Sequence, residues 1–130
     1  QILISQRSGK KDVLPLKWEC NGGALLSGED VIDGIIREIY EELGIKLEKD
    51  KAIYLKTAKN SERFKEIYLF KKDINIEDIK FRDDECIDAK WVGIDEFTYM
   101  LDNGEIVNNV DFNKEDYENC LNLLKLNINR

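Results

Sequence analysis

The chain has 130 residues, 42% of them hydrophobic, and carries 27 acidic against 20 basic side chains for a formal net charge of −7. That length supports one hydrophobic core and one domain, and the acidity argues against nucleic-acid or anionic-membrane partners, which need concentrated Lys and Arg. There is no histidine at all, which removes His-type zinc sites, Ser-His-Asp and Cys-His nucleophiles and imidazole acid–base chemistry, and leaves carboxylates as the obvious reagents.

Gln1 to Gln6 already reads as a strand with no segment leading into it, so residues are expected to be missing ahead of it. Arg7 to Asp12 is polar and holds a glycine, as a turn should, and Pro15 is the only proline. Trp18 to Leu26 mixes short apolar pieces with Asn21-Gly22-Gly23, which suits a strand edge feeding a tight loop. From Val31 the period changes. Ile32, Ile35, Ile36, Ile39 and Leu43 recur at three- and four-residue steps, so a helix is expected over 31–43, capped by Asp30 with Asp33 in its first turn and closed by Gly44.

Ala52 to Ala58 and Lys65 to Phe70 read as the two strands of a hairpin, and Asp73 to Arg82 as a charged connector. Asp88 to Val92 suits another strand, followed by a short helix from Asp95 to about Leu101 that stops near Asn103-Gly104. Asn113 can cap a last helix to about Leu126, with Tyr117, Cys120, Leu121 and Leu124 as its apolar stripe. Strands interleaved with three helices and no internal repeat point to a compact α/β or α+β domain.

Cys20, Cys86 and Cys120 are odd in number and far apart, which fits neither a disulfide framework nor a thiolate zinc site; small buried side chains in a reducing cytoplasm are expected. No segment approaches eighteen consecutive apolar residues, and no signal-peptide pattern opens the chain, so a soluble protein is expected. Trp18, Trp91, Tyr68 and Phe70 could stack on a base, although aromatics in strands usually belong to the core.

The chemistry concentrates between Gly23 and Ile45. At about 100° per residue, Glu38, Glu41 and Glu42 fall within an arc of about 100°, while the isoleucine stripe is centred well over a quarter-turn away. Left alone they would repel one another, and Arg37, the basic residue of that turn, can serve Glu41 but hardly all three. A hard divalent cation such as Mg²⁺ or Mn²⁺ would neutralise them and could bridge them to a substrate phosphate. Glu29 can reach the same group if the loop folds back over the helix start, with Gly22, Gly23 and Gly28 supplying the backbone freedom.

Gly23, five residues, Glu29, seven residues, then Arg37-Glu38-Ile39-Tyr40-Glu41-Glu42-Leu43-Gly44-Ile45 meets every specified position of the Nudix box, and on these residues the chain resembles the MutT-like Nudix hydrolases. The box covers 23 of the 130 residues. Gln6-Arg7-Ser8, Trp18 and the run ending Lys90-Trp91-Val92 resemble the family's surroundings more loosely. The resemblance implies an α/β/α sandwich around a mixed β-sheet and Mg²⁺-dependent hydrolysis of a nucleoside-diphosphate-linked or related diphosphate by attack of metal-activated water on phosphorus. It implies Glu38, Glu41 and Glu42 as metal ligands, with Glu29 supporting them, the Gly23 carbonyl adding a further donor, and Arg37 orienting a box glutamate. The general base is expected to be Glu41 or Glu42 within the box, or Glu85 in the acidic triplet Asp83-Asp84-Glu85. Arg7 is a candidate for a substrate phosphate, against the plainer reading of an exposed strand-end arginine.

The surroundings also resemble the isopentenyl diphosphate isomerase branch. Those enzymes place a cysteine immediately before the box glycine and hold a second metal with histidines; here Gly22 stands at that place and histidine is absent. A non-catalytic nucleotide-binding protein on the same scaffold is the third reading, and the intact box carboxylates weigh against it. The expected partner is a small-molecule diphosphate, with a homodimer left open.

Overall fold

A computed structural model describes residues 1–20, 28–59, 64–82, 84–107 and 112–128, with side chains to 126. Its strands are β1 (Ile2–Arg7), β2 (Trp18–Glu19), β3 (Ile53–Lys59), β4 (Phe64–Leu69), β5 (Cys86–Val92) and β6 (Ile106–Val107); its helices are α1 (Val31–Leu43), α2 (Ile94–Asp102) and α3 (Lys114–Ile128). Four strands form a mixed sheet in the order β5-β1-β2-β6, with β1 antiparallel to both its neighbours and β2 parallel to β6. β3 and β4 form a separate antiparallel hairpin.

Alternation along β1 gives the mixed sheet two apolar faces. Ile4 packs with Val92, Phe97, Met100, Ile106, Phe112 and Cys120, joining β5, β6, α2 and α3. Leu3 turns the other way, toward Leu43, Ile45, Ile79, Cys86 and Ala89 at the end of α1. Ile4 and Leu43 are almost wholly removed from solvent, each contributing about 2–3 kcal/mol of burial. Helices on both faces of a mixed sheet make this the expected α/β fold.

Helix α1 runs over the expected residues because both stop signals lie in the sequence. The Asp30 side chain accepts the Asp33 N–H at 2.8 Å, and Gly44 takes a left-handed φ of 69° and donates to Tyr40 O at 2.9 Å. Its isoleucines are only half-buried. Ile35 and Ile39 border a cavity of about 310 Å³, lined also by Leu55, Ile67, Leu121 and Leu124 among others. Leu121 is 43% exposed, where the helical stripe predicts burial.

α3 begins with a reciprocal cap: Asp116 N donates to Asn113 Oδ1 at 2.9 Å, and Asn113 N donates to Asp116 Oδ2 at 3.1 Å. Lys56 of β3 donates to the same buried carboxylate at 2.7 Å, tying the hairpin to the helix. The remaining differences from the sequence reading are local. α2 starts at Ile94 on Gly93, without a side-chain cap, and Ile76–Asp78 in the charged connector forms a short 3-10 turn. The expected approach through Asn21, Gly22 and Gly23 lies outside the described residues.

The loop between β1 and β2 carries a feature that no glycine announces. Leu14 and Leu16 both have left-handed backbones, with φ of 51° and 63°, a region that costs a branched residue about 1 kcal/mol or more. Polar bonds hold them there: Arg7 Nη2 donates to Val13 O at 2.8 Å, Arg7 Nε to Leu14 O at 3.1 Å, and Gln6 Nε2 to Leu16 O at 3.1 Å. Two substitutions in the same backbone region should therefore act with opposite sign. Leu16→Gly, at a side chain 53% exposed, is expected to raise stability by about 0.5–1 kcal/mol in urea unfolding. Gly44→Ala places a Cβ 3.1 Å from Lys80 Cβ and 3.2 Å from its carbonyl oxygen, and should cost about 1–2 kcal/mol. Equal effects of one sign would contradict this account.

Candidate active site

The acidic face of α1 is organised by one guanidinium. Arg37 Nε donates to Glu29 Oε2 at 2.8 Å and Nη2 to Glu29 Oε1 at 3.1 Å, a two-pronged pair across eight residues. Its Nη1 turns the other way, to Glu38 Oε1 at 2.9 Å and Glu41 Oε2 at 3.1 Å. Arg37 thus serves three carboxylates, more than its sequence position suggests, because the planar fork sends its donors in divergent directions. Hydrogen bonding to Glu29, then to Glu38, raises the Arg37 pKa well above its ordinary value, keeping the charge permanent.

Glu42 departs from the solvated face. It is 6% exposed, beside the fully buried Leu43. On the helical wheel it stands at the edge of the carboxylate arc nearest Ile35 and Ile39, about 60° or less from each, so the core boundary covers it. Among the described residues, no group of three or more carboxylates or cysteines is arranged as a ready metal cage, since Arg37 lies among Glu29, Glu38 and Glu41. The donor set nevertheless fits a hard cation: three carboxylates around one guanidinium retain two negative charges, all on oxygen. Gly23 lies outside the described residues.

The N-terminal end of α1 has its own counter-charge. After Gly44 the chain doubles back, and Lys49 Nζ reaches Asp30 at 2.9 Å and Asp33 at 3.2 Å. The Asp33 N–H and then Lys49 hold the Asp30 carboxyl down to about 2, and the two aspartates raise Lys49 in return.

The other sequence candidates lie along β1 and β5. Arg7 Nη1 pairs with Glu19 at 3.0 Å while its other nitrogens hold the Val13 and Leu14 carbonyls, so a phosphate at Arg7 would have to exchange with protein oxygens. Glu85 leads into β5, its carbonyl accepting the Ser8 N–H at 2.9 Å and its half-exposed carboxylate lying 3.4 Å from Lys11; Asp83 is outside the described residues. Of the aromatic candidates, Trp91 donates to Ile74 O at 3.0 Å, Trp18 lies under Lys90 at 4.8 Å and Tyr68 meets Tyr54 edge-on, while Tyr68, Phe70 and Trp91 also line the cavity beside α1. None of the three cysteines is in a disulfide among the described residues, and burial, with Glu19 nearby, pushes the Cys20 thiol up to about 12.

Two residues outside the sequence candidates touch this region. Arg82 stacks over the Tyr40 ring at 4.5 Å and donates to the Tyr40 hydroxyl at 2.7 Å. Tyr40 stands at a position that the box leaves unspecified, and its partner is 42 residues away, so neither left a signal in the sequence.

Residues 1–110 match the family model described as NUDIX domain. The chain is 28% identical over 108 residues to an uncharacterized Nudix hydrolase of Listeria monocytogenes, covering 82% of this chain and 64% of that one. A Nudix hydrolase of Clostridium acetobutylicum is 31% identical over 111 residues, 78% of this chain and 53% of its own. The chain therefore spans somewhat over half the length of these curated relatives. Among solved structures, a MutT/nudix family protein from Enterococcus faecalis superposes with a TM-score of 0.56 at 25% identity, covering 68% of this chain and 35% of that one. A Deinococcus radiodurans protein reaches 0.65 at 23% identity, covering 79% and 65%, a likeness of fold.

A depressed carboxyl pKa stabilises the folded chain above its ordinary value and loses that contribution as pH falls through the folded one. Asp30→Ala should accordingly lower the Tm by a few degrees near neutral pH, and the gap to the parent should narrow as pH drops from about 4 to about 2. A gap that stays constant over that interval would contradict the assignment.

Proposed function

The chain belongs to the NUDIX domain family, and from that membership we propose that it is a Mg²⁺-dependent pyrophosphohydrolase, cutting a phosphoanhydride bond in a small, nucleoside-linked diphosphate with water. The observation that carries this reading is the crowding of carboxylates at α1: Glu29, Glu38 and Glu41 all meet the Arg37 guanidinium, with Glu42 buried beside them. A static acidic helix gains nothing from this crowding, whereas a cation-dependent phosphate site requires it.

Glu38, Glu41 and Glu42 would hold the cation, Mg²⁺ or in its place Mn²⁺, with Glu29 and the Gly23 carbonyl as supporting donors. Such a cation supplies Lewis-acid stabilisation of the phosphate oxygens and lowers the pKa of water. The protein's own part is positional. Arg37 gathers Glu29, Glu38 and Glu41 around one charge, bonding Glu29 Oε1 and Oε2, Glu38 Oε1 and Glu41 Oε2, and it remains charged throughout. Glu85, or within the box Glu41 or Glu42, takes the proton from the attacking water; Glu85 is half-exposed, with Lys11 at 3.4 Å, which suits a group that must exchange protons with solvent. Arg7 would meet a substrate phosphate by giving up its contact to Glu19. The three cysteines, none in a disulfide among the described residues, suit a reducing cytoplasm.

Phosphate release from a panel of nucleoside-linked diphosphates, with and without Mg²⁺, tests the reading. Hydrolysis should need the cation, stop with chelator, and fall by about 10²-fold or more in Glu41→Gln and Glu42→Gln. Glu85→Gln at full turnover would remove that residue from the mechanism. Tight nucleotide binding with no turnover would replace the hydrolase with a binding protein, and conversion of isopentenyl diphosphate to its isomer would replace it with an isomerase.

A further inference from the structure

Between α1 and β5 the chain is fastened at closely spaced points. The Lys80 N–H donates to Leu43 O at 2.9 Å, and Gly44 lies so near Lys80 that a Cβ there would come within 3.1 Å of it. Two residues on, Arg82 engages Tyr40 twice, stacking on its ring at 4.5 Å and donating to its hydroxyl at 2.7 Å. Beyond Glu85 the chain is fixed again, by Ser8 N–H to Glu85 O at 2.9 Å and by Cys86 packing with Leu43. Asp84 and Glu85 thus lie between two fastened points, and the upstream one, Arg82 on Tyr40, holds the helical turn that carries Arg37, Glu38 and Glu41.

We infer that Arg82 and Tyr40 form a latch that sets the position of Glu85 relative to the carboxylate face of α1, so that Arg82 is a positioning residue for hydrolysis. The inference rests on the hydrolase reading. The residue types fit the role. A guanidinium can hold its charge close to a phenol ring and give an N–H to the hydroxyl at the ring's edge, which limits the separation of the two segments. Arg82 is exposed, so the contact contributes little to global stability. A small displacement of a proton-accepting group, by contrast, acts strongly on the rate.

Kinetics of Arg82→Ala, Arg82→Lys, Glu85→Gln and the Arg82→Ala/Glu85→Gln double variant test this, together with backbone amide chemical shifts of Asp84 and Glu85. Arg82→Ala should lower kcat about tenfold, leave KM within about twofold, move the Tm by no more than a couple of degrees, and shift both amides. Arg82→Lys, which keeps a cation and a donor but loses the planar fork, should recover only part of the loss. In the Glu85→Gln background, removing Arg82 should cost nothing further, because both changes disable one device. Wild-type kcat in Arg82→Ala, independent multiplication of the two losses, or a rise in KM alone would overturn the latch. If the wild-type chain hydrolyses nothing on the panel, the hydrolase reading fails, and unmoved Asp84 and Glu85 amides in Arg82→Ala would separately overturn the placement.

Discussion

The Arg37 guanidinium is the interaction on which the acidic end of the molecule depends. Three carboxylates from one loop and one helix converge on it, and without a fixed positive charge their mutual repulsion would oppose the very helix that presents them. An arginine meets this need where a lysine would not. Its donors diverge within a plane, so one side chain can clasp Glu29 with two nitrogens while the third reaches Glu38 and Glu41. The result is a site held open by charge balance and still electron-rich.

Around that clasp, α1 divides its duties by angle. Leu43 and the half-buried isoleucines face the sheet and the cavity, the glutamates face outward, and Glu42 sits on the border. A carboxylate at such a border feels a lower dielectric on one side than the other. The chain then folds back so that Lys49 neutralises the aspartates at the helix start, while Lys80 docks at its end. Both termini of α1 are therefore fixed by residues well downstream, and the helix cannot shift along its axis without breaking both.

Much of this was legible in the sequence where the signals are local. α1 has its stripe and both caps within a continuous run, so its bounds, 31–43, match the expected ones, and the cap of α3 at Asn113 is equally plain. The family and the α/β fold follow from the box. What escaped depends on distant partners or on unusual backbone. The order β5-β1-β2-β6 pairs strands separated by many residues; the reach of Arg37 to Glu29 depends on how the loop returns; the burial of Glu42 needs a neighbour on its flank. Leu14 and Leu16 are least readable of all, because left-handed turns are usually signalled by glycine, and here side-chain bonds from Gln6 and Arg7 do the work instead.

The separate hairpin of β3 and β4 has a consequence for how the molecule comes apart. A lone two-stranded sheet has little stability of its own in water, and this one is joined to the rest through the buried carboxylate of Asp116, which also closes the cap of α3. One carboxylate thus serves a helix terminus and an interlayer tie at once. Loss of either bond removes support from the other, which couples the hairpin to the start of α3.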